Sequence, residues 1–154
     1  PEAPRWRNHR RRRARRAGVS ESRPTRGLLD TSIFVALEEG RPLIQEVLPW
    51  QNAISIVTRA ELRVGVLVAD DIASRDRRIA TFEASRRFTV LPIDEEVGRA
   101  WAQMRAYLAA SGRRVAINDM WIAATAAAYE MPVLTQDDDF DALNGVAGLT
   151  VIPV

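Results

Sequence analysis

Gly27-Leu28-Leu29-Asp30-Thr31-Ser32-Ile33-Phe34-Val35-Ala36-Leu37 is the stretch that decides how this chain is read. Gly27 to Leu29 is short and apolar without alternation, which predicts a brief buried strand ending at Asp30. Thr31 or Ser32 then caps a helix through Leu37, with Gly40 and Pro42 punctuating its end. The same strand-then-helix pattern recurs downstream. Pro42 to Leu48 reads as a second short helix stopped by Pro49. Ala53 to Val57 (AISIV) is a second strand, and helical spacing resumes from Thr58, with Leu62, Val66 and Ala69 on one face. Ile72, Ile79 and Phe82 continue that face in a following helix. Phe88 to Ile93 is a third strand. Asp94 to Ala110 is a long helix with Val97, Trp101, Met104 and Leu108 toward the core, closed by Ser111-Gly112. Asn118 reads as the N-cap of a helix from Asp119 to Tyr129. Pro132 to Thr135 and Leu149 to Ile152 are the fourth and fifth strands. Alternation of this kind argues for a parallel sheet with helices on both faces.

Charge separates the chain into two parts. Residues 1–26 hold ten Arg against Glu2 and Glu21, a net of +8; residues 27–154 hold 12 Arg against 18 acids, a net of −6. The pI of 9.9 therefore belongs to the amino-terminal stretch, and the body is acidic. Arg5 to Arg16 shows no apolar stripe of either period, so residues 1–26 are expected to be a disordered arginine-rich extension. Two readings of it stay open: an arm that contacts nucleic-acid phosphates, or an upstream extension outside the working domain. Neither a secretory apolar segment nor an amphipathic presequence face follows the charges, and the expected location is the cytoplasm. Residues 27–154 are expected to be one domain.

What is missing narrows the chemistry. There is no Cys, no Lys, and one His, His9, inside the arginine run. Thiolate catalysis, zinc–thiolate sites, Walker-type phosphate binding and Schiff bases are thereby excluded. The body has no histidine base for a nucleophilic Ser.

Acids remain. Asp30 follows the first strand, Glu61 lies one turn into the helix after the second, Asp119 opens a helix, and Asp137 to Asp139 follow the fourth strand. In open parallel sheets, ligands bind outside the carboxyl ends of the strands, so all four positions can share one rim. Taken singly, each has a simpler reading. Asp30 and Asp119 suit helix N-termini, Glu61 a solvated helix face, and Asp137–Asp139 a loop that caps a helix near Phe140. Taken together they are costly. Two carboxylates about 4 Å apart repel by roughly 4 kcal/mol at an effective dielectric near 20. Such a cluster raises its own pKa values or recruits Mg²⁺ or Mn²⁺. Thr31, Ser32 and Asn118, adjacent to Asp30 and Asp119, are placed to orient those carboxylates by hydrogen bonds.

The strings LLDTSIF, TRAELRVGV, INDMWIAATA and VLTQDDDF, in that order, resemble the PIN-domain family, and the chain is similar to the VapC toxins of bacterial toxin–antitoxin pairs. The resemblance covers residues 27–154. It implies a three-layer α/β/α sandwich with a parallel, roughly five-stranded sheet. It implies a metal-dependent endoribonuclease leaving 5′-phosphate and 3′-hydroxyl ends, with Mg²⁺ or Mn²⁺ as cofactor. RNA would be the substrate, a cognate VapB-type antitoxin the partner, and a homodimer the assembly. Carried over by motif, Asp30 and Asp119 would ligate the metal and Glu61 would be the third acid. Asp137 and Asp139 both fit the fourth acidic position. A carboxylate-held Mg²⁺ keeps waters and lowers the pKa of one of them. Arg59, Arg63, Arg113 and Arg114, near these motifs in sequence, are candidates for phosphate contacts.

Two rival readings stand beside it. A phosphotransferase with Asp30 as nucleophile lacks the second Asp, since position 32 is Ser, and lacks its Lys. A catalytically degenerate PIN domain acting as an RNA- or protein-binding regulatory module would keep the fold without the chemistry.

Overall fold

The computed structural model describes residues 23–154. Most of the arginine-rich extension expected over 1–26 lies outside the described residues. Its last four residues lie within them. Arg23 stacks on Trp50 at 3.8 Å from the ring centroid and donates to the Leu48 carbonyl. Arg26 already opens the first strand, because the Trp50 and Gln51 amides bond back to the Pro24 and Thr25 carbonyls.

Five strands form one wholly parallel sheet: β1 (Arg26–Leu29), β2 (Gln51–Ser55), β3 (Thr89–Leu91), β4 (Val133–Thr135) and β5 (Val151–Pro153). Their order is β3-β2-β1-β4-β5. The chain steps outward from β1 in one direction, then returns to build on its other side. The order thus reverses between β1 and β4, which is where an open α/β sheet leaves a crevice at its carboxyl edge.

Five helices cover the sheet: α1 (Thr31–Glu38), α2 (Ile56–Leu67), α3 (Ile72–Ser85), α4 (Glu95–Ser111) and α5 (Ile117–Ala128). Strand side chains alternate between faces. Leu28, Ala53, Val133 and Val151 enter one core with α4 and α5, through Met104, Leu108, Ile122 and Ala123. Leu29, Ile54, Leu134 and Ile152 enter the other with Ile33, Phe34 and Leu62. The result is a three-layer α/β/α sandwich. Each fully buried Leu or Ile among these contributes roughly 1.5–3 kcal/mol. Gly27 is required by a close approach: a Cβ there would collide with Pro49 and Leu134. Gly112 ends α4 in the left-handed region, φ 65°, where its amide reaches the Leu108 carbonyl.

Several local expectations change. The first helix is capped by Asp30, whose carboxylate accepts from the Ser32 amide, rather than by Thr31 or Ser32. Pro42 to Leu48 holds only a 3₁₀ turn at Gln45–Val47, since Pro42 and Pro49 leave no room for a full helix. The second helix begins two residues early, at Ile56, because the Ser55 hydroxyl caps it through the Thr58 amide. In α3 the apolar face is covered only at its far end: Ile72 is 80 % and Ile79 41 % exposed, whereas Phe82 is half-buried against the Ile33, Phe34 and Leu62 cluster. That helix leans on its neighbours instead of on the sheet, with Arg78 donating to the Gly65 carbonyl and Thr81 to Glu38. Among the described residues, no helix is long and apolar enough to cross a membrane.

Candidate metal centre

Asp30 follows the last residue of the central strand and is 3 % exposed. A buried carboxylate needs donors, and the fold supplies them from both sides. Its Oδ2 accepts from the Ser32 amide at 3.2 Å, at the start of α1, and from Thr135 Oγ1 at 2.9 Å, at the end of β4. Burial pushes its pKa up, and these hydrogen bonds oppose that. Capping and site membership are thus one position serving two ends: the residue that starts α1 is also the residue at the crevice.

Thr135 carries no signal of its own in the sequence. It is a buried polar residue at the end of an apolar strand, and its hydroxyl ties three segments together. It bonds Asp30, lies 3.2 Å from Ser32 Oγ and accepts the Asp137 amide at 2.9 Å. Ser32 Oγ in turn accepts the Gln136 amide. The loop after β4 is thereby held against the start of α1.

Glu61 sits on α2, half-buried. Both of its oxygens are occupied: Thr31 Oγ1 donates to Oε2, and Asn118 Nδ2 donates to Oε1 at 2.7 Å. Here the expectation fails in an informative way. Thr31 and Asn118 serve Glu61, not the Asp beside each of them. Asn118 is free to do so because it is not the N-cap of α5. The cap is Ala116, which has no side-chain bond to offer, and Asn118 points outward from the first turn.

Asp119, in that same turn, faces Asp137 and Asp139. The three each offer a carboxylate oxygen, and these atoms lie within 4.8 Å of one another. Asp137 also caps the 3₁₀ segment Asp138–Leu143 through the Asp139 amide at 2.9 Å. That turn brings both Asp137 and Asp139 to Asp119, so the two candidates for one position stand side by side. Burial, then the charges of Asp30, Asp137, Glu61 and Asp139, push Asp119 up to about 7. Among the described residues, its side chain accepts no hydrogen bond.

All five predicted acids therefore act on one point, although only Asp119, Asp137 and Asp139 form the tight oxygen cluster. The donor set contains neither nitrogen nor sulfur. It fits a hard divalent cation and is wrong for zinc or copper. Of the arginine candidates, Arg59 is committed elsewhere, donating to the Ser85 carbonyl and lying near Phe82. Arg63 lies over the same ring at 5.5 Å. Arg113 and Arg114 are exposed.

A parallel sheet with carboxylates gathered at its carboxyl edge defines a class of metal-site α/β domain, and known proteins place the chain within it. The family model of the PIN domain matches residues 27–146. Ribonuclease VapC5 of Mycobacterium tuberculosis is 51 % identical over 131 residues, spanning 85 % of this chain and 97 % of the relative. Ribonuclease VapC4 of the same organism is 42 % identical over 126 residues, spanning 82 % and 97 %. Among solved structures, that of VapBC-5, a member of the VapBC family of toxin–antitoxin systems from M. tuberculosis, matches with a TM-score of 0.80 at 49 % identity. It covers 85 % of this chain and 100 % of that one. The chain belongs to the PIN-domain family, in its VapC branch.

Proposed function

We propose that this protein is an endoribonuclease, the toxin of a type II toxin–antitoxin pair, working with Mg²⁺ or Mn²⁺. The observation that carries the reading is the convergence on Asp119, whose pKa is pushed up to about 7 by burial and four acidic neighbours. Such a group is poised to exchange a proton for a cation. The relatives named as VapC ribonucleases and the VapBC-5 structure support the substrate class and the pairing.

Asp119 and Asp30 are assigned as ligands. A divalent cation held there would polarise a scissile phosphate and lower the pKa of a water. The remaining work belongs to the chain. Glu61, clamped by Thr31 and Asn118, holds and deprotonates the attacking water. Asp137 and Asp139 complete the acidic wall. The degenerate-module reading has no observation in its favour, because every acidic position is filled.

The full chain incubated with RNA and Mn²⁺ should yield fragments with 5′-phosphate and 3′-hydroxyl ends, and neither EDTA-treated protein nor Asp119→Asn should produce them. Cleavage that survives both treatments would refute the assignment. A VapB-type antitoxin partner, a homodimer and a cytoplasmic location complete the proposal. Co-expression with a cognate VapB-type antitoxin should relieve growth arrest, and sedimentation should report the dimer.

A further inference from the structure

Asp137 and Asp139 are exposed, yet each brings a carboxylate oxygen within 4.8 Å of the others and of Asp119. Like charges repel, and exposed side chains on a free loop relieve this by swinging into water. The loop after β4 is held toward α5 by three ties. Two are backbone amides: Gln136 N–H donates to Ser32 Oγ and Asp137 N–H to Thr135 Oγ1, each at 2.9 Å. The third is the side chain of Gln136, the residue between Thr135 and Asp137.

Gln136 is half-buried, and both ends of its amide are used. Arg41 Nη1 donates to Oε1 at 2.6 Å, and Nε2 donates to the Pro42 carbonyl at 3.0 Å. A guanidinium only donates and a carbonyl only accepts, so these two partners fix which way the amide faces. Arg41 is fixed in turn, since its Nε meets Glu39 Oε2 at 2.7 Å. The backbone brings these groups here. Beyond the end of α1, Gly40 turns in the left-handed region at φ 66°, and the Arg41 amide returns to the Ala36 carbonyl at 2.7 Å. The ring of Pro42 fixes its φ and stiffens the acceptor. Arg86 and Arg99 pair with acids one helical turn away, whereas Arg41 joins segments 95 residues apart in the chain.

Resting on the metal-site reading above, we infer that Gln136 is a positioning residue: bridged to Arg41 and Pro42, it holds Asp137 and Asp139 against Asp119 before a cation arrives, and so sets the cation affinity of the site. Ligands already gathered bind a cation without the cost of bringing repelling groups together. The short bond from Arg41 is charge-assisted, and it polarises the amide for its donation to Pro42. Arg41 acts through Gln136 and not through its charge. By charge alone, a guanidinium near a cation site weakens cation binding. The two effects have opposite signs, so removing Arg41 separates them.

The test uses the full chain, with Mn²⁺ alone as the probe, and two variants. Gln136→Met keeps the bulk and removes the bridge; Arg41→Gln removes the bridge and a positive charge. Calorimetry should show Mn²⁺ affinity falling by about tenfold in each. The double variant should be no weaker than the weaker single one, because both act through one bridge. In metal-free protein, the Gln136 and Asp137 amides should exchange hydrogen faster in both variants. The melting temperature should move by no more than about 4 °C, since neither side chain belongs to the core. Affinity that is unchanged in Gln136→Met, or raised in Arg41→Gln, overturns the inference and leaves the metal site standing. So do losses that add in the double variant, and so does amide exchange at the wild-type rate. Wild type that binds no Mn²⁺ overturns the metal-site reading, and this inference with it.

Discussion

The inner and outer walls of the carboxylate site obey different rules. On the inner wall, Asp30 and Glu61 are each held by two donors supplied by the chain: Ser32 and Thr135 for Asp30, Thr31 and Asn118 for Glu61. On the outer wall, Asp119 has no protein donor among the described residues and faces Asp137 and Asp139 within 4.8 Å. The inner acids are part of how the fold closes. The outer ones are left in mutual repulsion, which the proposed cation would relieve. The inner pair is fixed by donors within the fold, while Asp119 stands without one among the described residues.

Removing each kind should have opposite effects on stability. Asp30→Ala deletes the α1 cap and orphans the buried Thr135 hydroxyl, and should destabilise the metal-free protein by about 1–3 kcal/mol in urea unfolding. Asp119→Ala at pH 8 should leave stability equal or higher, because it removes a strained charge. Both variants should lose at least about a hundredfold in metal-dependent cleavage, since each removes a proposed metal ligand. Equal destabilisation by the two would erase the distinction between the walls.

pH sharpens the same contrast. Asp119 titrates at about 7 when folded, above its unfolded value near 3.8, so the folded state binds the proton more tightly. Its ionisation is therefore unfavourable to folding: the cost is absent below the unfolded pKa and complete above the folded one. Metal-free protein should melt higher at pH 5.5 than at pH 8, and Asp119→Asn should reduce that difference. Mn²⁺ affinity should fall by about tenfold per pH unit below 7, with proton release detectable in buffers of different ionisation enthalpy.

A smaller effect is expected from the clamp. Asn118→Ala or Thr31→Val frees one oxygen of Glu61, and should cost about 10–100-fold in activity. Thermal unfolding should shift by no more than a few degrees, because Asn118 is exposed and Thr31 half-buried. The loss should appear mainly in kcat, since the role proposed for Glu61 is on the water rather than on the RNA.

Much of this could be read in the chain itself. Short apolar runs such as Leu28-Leu29 and Val133-Leu134, bounded by turn residues, suit strands buried on both faces, and the intervening amphipathic helices make a parallel sheet the economical arrangement. The acids announced themselves by standing where those elements change. The wiring between them did not. Thr31 and Asn118 look like partners of their neighbours in sequence, but a side chain chooses its partner across the crevice, and periodicity carries no information about that direction. Asn118 misleads because an Asn near a helix start usually caps it; here the backbone turns one residue pair earlier, at Ala116. Thr135 stayed invisible because a hydroxyl at a strand end looks the same whether it meets water or a buried carboxylate. Ile72 and Ile79 of α3 have the periodicity of a core face, but only Phe82 at its far end reaches the core.

Both walls are held to build a single cation site. Mn²⁺ titration calorimetry on the full chain, beside Asp30→Asn and Asp119→Asn, tests this without any knowledge of the RNA target. One saturable site should appear in wild type and vanish in both variants, with Asp119→Asn folded and at least as stable as wild type at pH 8. Wild-type binding that survives either substitution would contradict a site shared between the walls.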